Sequence, residues 1–260
     1  MTLDISSDHR LASLWLFSLL LLFAVGCAVE PGSASLIEAI PILGALGVAL
    51  TRKSVGLQLT ALVVTGVWMV AILPIPRIWP LAQLIMLIPV SLGAWKFRET
   101  IDVRQWLQLG AFQALPVLLI GCLAVIALPT WFALTQADIS DATNMLPAWP
   151  VSLLVVAGLV FSVCNAILEE ILFRGLLQGA LKSLVSSIWV PIIFQGIAFG
   201  LLHWHGFPNG AVGVCLSGIW GTGLGWARER SNGLLTPTLG HMVADMVIFG
   251  IVYGSVRGIF

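Results

Sequence analysis

Long apolar stretches follow one another along almost the whole chain, separated by short polar breaks. Crossing a bilayer as a helix takes ~20 mostly apolar residues. Stretches of that kind fall near 11–29, 34–51, 55–74, 79–95, 107–128, 150–172, 186–205, 208–227 and 233–256. This pattern predicts an all-α, polytopic transmembrane helix bundle of about nine spans. The second stretch carries Glu38 and Pro41, so eight spans is the alternative. The sixth helix is expected to continue to about Lys182, because the polar residues after Ile167 keep helical spacing. The longest break, 129–149, holds Pro129, Pro147, Asp138 and Asp141. It divides the chain into an N-terminal region of five spans (1–128), an external loop (129–149) and a C-terminal membrane core (150–260).

Composition narrows the class further. Of the residues, 59% are apolar and 9% charged, where soluble domains run near ~25% charged. Mean hydropathy is +1.03. A soluble domain and a disordered chain are both excluded. The 12 basic and 12 acidic residues cancel, which removes the electrostatic argument for nucleic-acid binding. With a cytoplasmic N-terminus, every basic residue except Arg77 and Arg257 falls on the inner side, as the positive-inside rule requires. Trp79, Trp95, Trp106, Trp131, Trp149, Trp189, Trp204 and Trp226 lie at or near span ends, as interfacial rings should. Cys27, Cys122, Cys164 and Cys215 sit in apolar runs without a CxxC pair and read as small buried packers. The Ala-Val-Gly-Cys run ending at Cys27 is a poor lipoprotein signal, so a retained first span is expected.

Against this background, the polar residues of 150–260 stand out. An ionised side chain at the bilayer centre costs roughly 2.5–3.5 kcal/mol on the lenient insertion scale. Glu169, Glu170, Arg174 and Asp245, left unpaired, would together cost on the order of 10 kcal/mol. Helical spacing sorts them. Glu170 and Arg174 are four apart and can pair. Glu169 lies about 100° round the helix, with Asn165 one turn before it on the same face. Phe199 and His203 are four apart, and so are His241 and Asp245. Three helices thus each offer a polar face. The eighth stretch adds Gly213, Ser217, Gly221 and Gly225, a small-residue stripe suited to close helix packing. A carboxylate and an imidazole around one water can deprotonate it, and further polar groups can stabilise an oxyanion. Neither Cys164 nor Ser162 has a nucleophile's context, and HExxH is absent. Glu169, His203 and His241 could alternatively ligate one Zn²⁺; no metal or other cofactor is favoured.

Three motifs in order resemble those of the CPBP family, the CAAX proteases and bacteriocin-processing enzymes. They are Glu169-Glu170-Ile171-Leu172-Phe173-Arg174 followed by Gly175, Phe199-Gly200-Leu201-Leu202-His203, and His241-Met242-Val243-Ala244-Asp245. The resemblance covers about 155–250. It implies an intramembrane endopeptidase that cuts near the C-terminus of a membrane-associated protein or peptide. By that similarity Glu169 is the general base, His203 helps to activate water, and His241 and Asp245 stabilise the oxyanion. Glu170, Arg174, Asn165 and Phe199 would support the site. Many relatives have Asn where this chain has Asp245; an ionised carboxylate donates no hydrogen bond and would instead orient His241. The expected partners are a peptide or protein substrate and the lipid bilayer, and the expected location a bacterial inner membrane.

Two other readings use the same residues. A proton- or ion-coupled transporter would use them as a relay, but no inverted repeat is visible. A non-catalytic peptide-binding immunity protein would not need the motif set intact. His205 reads as interfacial beside Trp204. At ~1.5 Å per residue, Glu169, His203 and His241 would lie at depths differing by ~10–15 Å. Tilted or broken helices are therefore required if they share one site.

Overall fold

The computed structural model describes residues 5–28, 40–51, 54–73, 80–100, 102–135, 137, 139–144 and 146–259. Glu38, Arg52, Lys53, Arg77, Trp79 and Asp138 lie outside them. The described residues form helices and no strands. Helix α1 spans Ile5–Ala28, α2 Ile40–Thr51, α3 Val55–Ile72, α4 Leu81–Lys96 and α5 Ala114–Thr135. Helix α6 is the long segment Val151–Lys182. Helices α7, α8 and α9 span Trp189–Leu202, Gly210–Ser231 and Leu235–Val256. Among the described residues, α3, α5, α6 and α9 are long and apolar enough to cross a membrane. The protein is a multi-pass, integral membrane helix bundle.

Each of the predicted stretches contains a helix, but one is displaced. The expected span 107–128 lies at Ala114–Thr135 instead. The reason is tertiary. Residues 108–111 bond to the α8–α9 turn: Ala111 N donates to Ser231 O at 2.8 Å, and Leu234 N and Leu235 N donate to Gln108 O and Leu109 O at 2.9 Å. Gly110 takes the left-handed φ of 69° that this crossing needs. The helix then runs through Pro129, and the expected loop 129–149 shortens and contains a helical turn at Ser140–Asn144. Trp131, expected at the interface, is therefore buried edge-on against Phe207 with centroids 5.1 Å apart. Cys27 is buried, but Cys122, Cys164 and Cys215 are exposed on apolar helices rather than packed inside. In a lipid-facing position a thiol is as acceptable as a small hydrophobe.

The two regions do not fold apart. One apolar core joins Leu16, Leu19, Leu59 and Val63 to Phe173, Leu177, Ala198 and Phe199. Helix α3 packs on the end of α6, and α1 on α7. The most extensive helix contact is between α7 and α8. A Cβ on Gly196 or Gly200 of α7 would collide with Thr222 or with the Val214 carbonyl of α8. Lipid tails are as apolar as side chains, so such backbone approach, not the hydrophobic effect, drives helix association in a bilayer.

This close approach makes Gly200→Ala a sensitive change. The added methyl meets the Val214 carbonyl, which cannot rotate away. The expected loss is about 1–3 kcal/mol, read as a lower unfolding temperature in detergent micelles. Gly250→Ala, where a Cβ meets nothing within 4 Å, should leave it unchanged.

Candidate active site

Helix α6 changes winding where its polar motif begins. Residues Val151–Glu170 are α-helical, and Ile171–Leu177 form a π-helical stretch before the last turn, Gln178–Lys182. Such π turns are uncommon and concentrate at functional sites. Arg174 lies in the middle of this stretch with its side chain 0% exposed. Its Nη1 donates to Glu170 Oε1 at 2.8 Å, and its Nη2 to the Gly221 carbonyl at 3.1 Å. The guanidinium also lies over the Phe199 ring, 4.5 Å from its centroid. Gly221 makes this possible, since a Cβ there would come within 3.1 Å of Arg174 Nη2. The small-residue stripe of α8 thus exposes a carbonyl to a buried cation as well as packing against α7.

Glu170 is shared. The oxygen that accepts from Arg174 also accepts from His241 Nδ1 at 2.7 Å. The sequence suggested Asp245 for the role of orienting His241, and Glu170 is a second carboxylate on the same ring. Asp245 Oδ1 is 3.8 Å from His241 Nε2, beyond hydrogen-bonding range, while Glu170 holds Nδ1 at short range. With Nδ1 so held, Nε2 points between Glu169 Oε2, at 3.5 Å, and Asp245 Oδ1. Asp245 is held by its other oxygen, which accepts from Asn165 Nδ2 at 3.2 Å. Asn165 Oδ1 in turn accepts from Gln83 Nε2 of α4 at 3.3 Å.

His203 closes the group from α7. That helix ends at Leu202, and His203–His205 form a single 3₁₀ turn. His203 Nδ1 donates to the Phe199 carbonyl at 2.9 Å, leaving Nε2 as the free ring nitrogen. The Phe199 ring packs on His203, Trp220 and His241, with centroids 4.7, 5.9 and 5.8 Å away. Trp220 meets His241 edge-on at 4.9 Å. The depths that straight helices could not reconcile are thus reconciled at two breaks, the π stretch of α6 and the 3₁₀ end of α7.

These side chains line one cavity of about 540 Å³, with Glu169, His203, His241, Asp245 and Asn165 on its wall. The rest of the lining is mostly apolar, including Phe161, Leu216 and Ile248. The N-terminal region contributes Cys27, Val67, Gln83 and Met86, so the cavity lies between the two regions. His205, expected at the interface, lines the mouth, with Nε2 3.3 Å from the Ala28 carbonyl of α1. Two cavity residues were not apparent from sequence, Gln83 and Trp220. The available signals were a lone amide inside the fourth span and a Trp far from any span end.

A second polar group lies beside the first. Gln195 Nε2 donates to the same Gly221 carbonyl at 2.9 Å, and Gln178 Nε2 donates to Gly225 O and to Glu229 Oε1. Lys182 Nζ and Arg228 Nη1 each reach Glu229 at 2.7 Å. Burial alone would raise the Glu229 carboxyl, but these two cations outweigh it and hold it below the usual glutamate range.

The alternative nucleophiles stay unengaged. Ser162 Oγ donates to its own helix at Gly158 O, and Cys164 faces outward. Among the described residues, no three His, Cys, Asp or Glu side chains are arranged to hold one metal ion. Glu169, His203 and His241, the set that the zinc alternative would use, share one cavity wall.

The fold and site define a membrane-embedded helical bundle with a buried carboxylate–imidazole cluster. Residues 150–247 match the family model of the type II CAAX prenyl endopeptidase Rce1-like proteins. The matched segment is the one that carries the three motifs, and it is under half of the chain. No curated protein and no solved structure matches the chain.

The shared Glu170 oxygen predicts the effect of removing its cation. Arg174→Met leaves a buried carboxylate without its strongest partner, and breaking such a pair costs about 3–5 kcal/mol. Unfolding in detergent should occur at a clearly lower temperature. Arg98→Met removes an exposed pair at 3.9 Å and should change it little.

Proposed function

We propose that the protein is an intramembrane endopeptidase that hydrolyses a peptide bond near the C-terminus of a membrane-associated protein or peptide. We place it in a bacterial inner membrane. The observation that carries this reading is the convergence of Glu169 and Asp245 on His241 Nε2, at 3.5 and 3.8 Å, in the wall of a cavity that also bears His203. The match of 150–247 to a CAAX endopeptidase family gives it its reaction class.

In this reading Glu169 takes a proton from a water molecule in the cavity, and His203 Nε2 orients that water. The water oxygen bonds to the substrate's carbonyl carbon, and the carbonyl oxygen becomes an oxyanion. His241, with Nδ1–H held by Glu170, offers a second proton on Nε2 to that oxyanion when doubly protonated. The C–N bond then breaks, and the leaving amine takes the proton from Glu169. Apolar walls hold a lipid-modified or apolar chain while excluding bulk water, which strengthens each of these electrostatic interactions. The reaction uses a carboxylate and imidazoles without a metal.

The test is cleavage of a farnesylated peptide ending in a CAAX sequence by the protein in liposomes. Glu169→Gln keeps the side chain's shape and removes the base. Cleavage should fall about 100-fold or more, the scale of general acid–base catalysis, with the unfolding temperature preserved. Cleavage should persist under strong chelation. Normal turnover by a folded Glu169→Gln variant defeats the proposal, and loss of turnover on chelation defeats its metal-free form.

A further inference from the structure

Gln83 belongs to α4, outside the segment that matches the protease family. It nonetheless reaches into the site. Asn165 turns its NH₂ toward Asp245, with Nδ2 donating to Oδ2 at 3.2 Å. That leaves the Asn165 carbonyl oxygen facing α4, where only a donor can satisfy it. Gln83 Nε2 is that donor, at 3.3 Å. The directions of the three side chains are thus fixed one by the next. A carboxylate, a Ser lone pair or an apolar group at 83 would not favour the same Asn165 orientation.

The arrangement carries a cost. Gln83 Oε1 is buried and has no hydrogen-bond partner among the described residues. Leaving a buried acceptor unmade is unfavourable, and an apolar side chain of equal shape would avoid it. For stability alone, methionine would suit the position. Among the described residues, the amide's compensating interaction is its bond to Asn165.

We propose that Gln83 is a positioning residue for the peptidase site, acting through Asn165 to fix the carboxylate of Asp245. This rests on the endopeptidase reading above. It makes the N-terminal region part of the reaction machinery as well as a wall of the cavity.

The experiment compares Gln83→Met, Asn165→Ala and the double variant in liposomes with the farnesylated CAAX peptide. Gln83→Met nearly preserves volume. It should leave unfolding temperature equal or higher and KM unchanged, while kcat falls about tenfold, within the range for outer residues that orient a site. Gln83→Glu, which can donate nothing when ionised, should not rescue it. In the Asn165→Ala background, Gln83→Met should cause no further loss, because its effect passes through Asn165. A kcat within twofold of wild type, a loss confined to KM, or independent multiplication of the two losses would overturn the proposal. A readout without turnover separates this from failure of the peptidase reading. With ¹³C-labelled aspartate, the carboxylate infrared band that disappears in Asp245→Asn should shift in Gln83→Met. An unshifted band counts against the relay whether or not the wild type cleaves the peptide.

Discussion

The structure around the site depends on a single buried cation. Arg174 is fully enclosed, so its charge must be met within the bundle. Glu170 one turn away supplies the counter-charge, but a guanidinium has five donors and one carboxylate cannot serve them all. The Gly221 carbonyl meets a second, which requires α8 to approach with no side chain between. The Phe199 ring covers the guanidinium face. The same ring then packs on both histidines. Two ring positions, a helix crossing and a glycine thus follow from satisfying one arginine. Through Glu170 the pair also sets the direction of His241.

This makes the division between structural and chemical residues less sharp than a motif suggests. Glu170 and Arg174 form an ion pair at i and i+4, which in isolation would be helix support. Here the pair is the means by which α6 holds α9. Likewise the N-terminal helices, whose sequence carries no recognisable motif, close one side of the cavity and share a continuous core with the C-terminal ones. A bundle whose site lies between helices needs both walls, since a half-open cavity would admit lipid.

Much of this was legible in the sequence because apolar patterning is strong and charges are few. Helix positions followed from hydropathy, and the Glu170–Arg174 pair from a spacing of four. The displaced fifth helix was not legible, because hydropathy does not register that 108–111 is held by backbone bonds to a distant turn. Pro129 misled for a related reason: a proline can remain inside a membrane helix when neighbouring helices and local adjustments satisfy the freed backbone groups. The contact of His241 with Glu170 was not legible either. A spacing of four favoured Asp245, but α9 presents the ring to α6, where Glu170 is nearer than its own helix neighbour. Intrahelical spacing lists which residues share a face, and interhelical rotation decides which of them touch.

The adjacent glutamates show how one short motif serves two purposes. Successive residues on a helix differ by about 100°, so Glu169 and Glu170 face different neighbours. Glu170 Oε1 already accepts from two donors at 2.7 and 2.8 Å, which fixes its orientation. Glu169 faces the cavity, and its contact with His241 Nε2 at 3.5 Å is longer than a well-formed hydrogen bond. A proton acceptor in a reaction must have an oxygen that is not already committed and that substrate water can reach. Of the two carboxylates, only Glu169 lines the cavity. The change of winding immediately after Glu170 keeps Arg174 directed inward at Glu170 and Gly221. A pinned carboxylate and a cavity-facing one, one residue apart, let a single helix turn anchor the bundle and present a second carboxylate to the cavity.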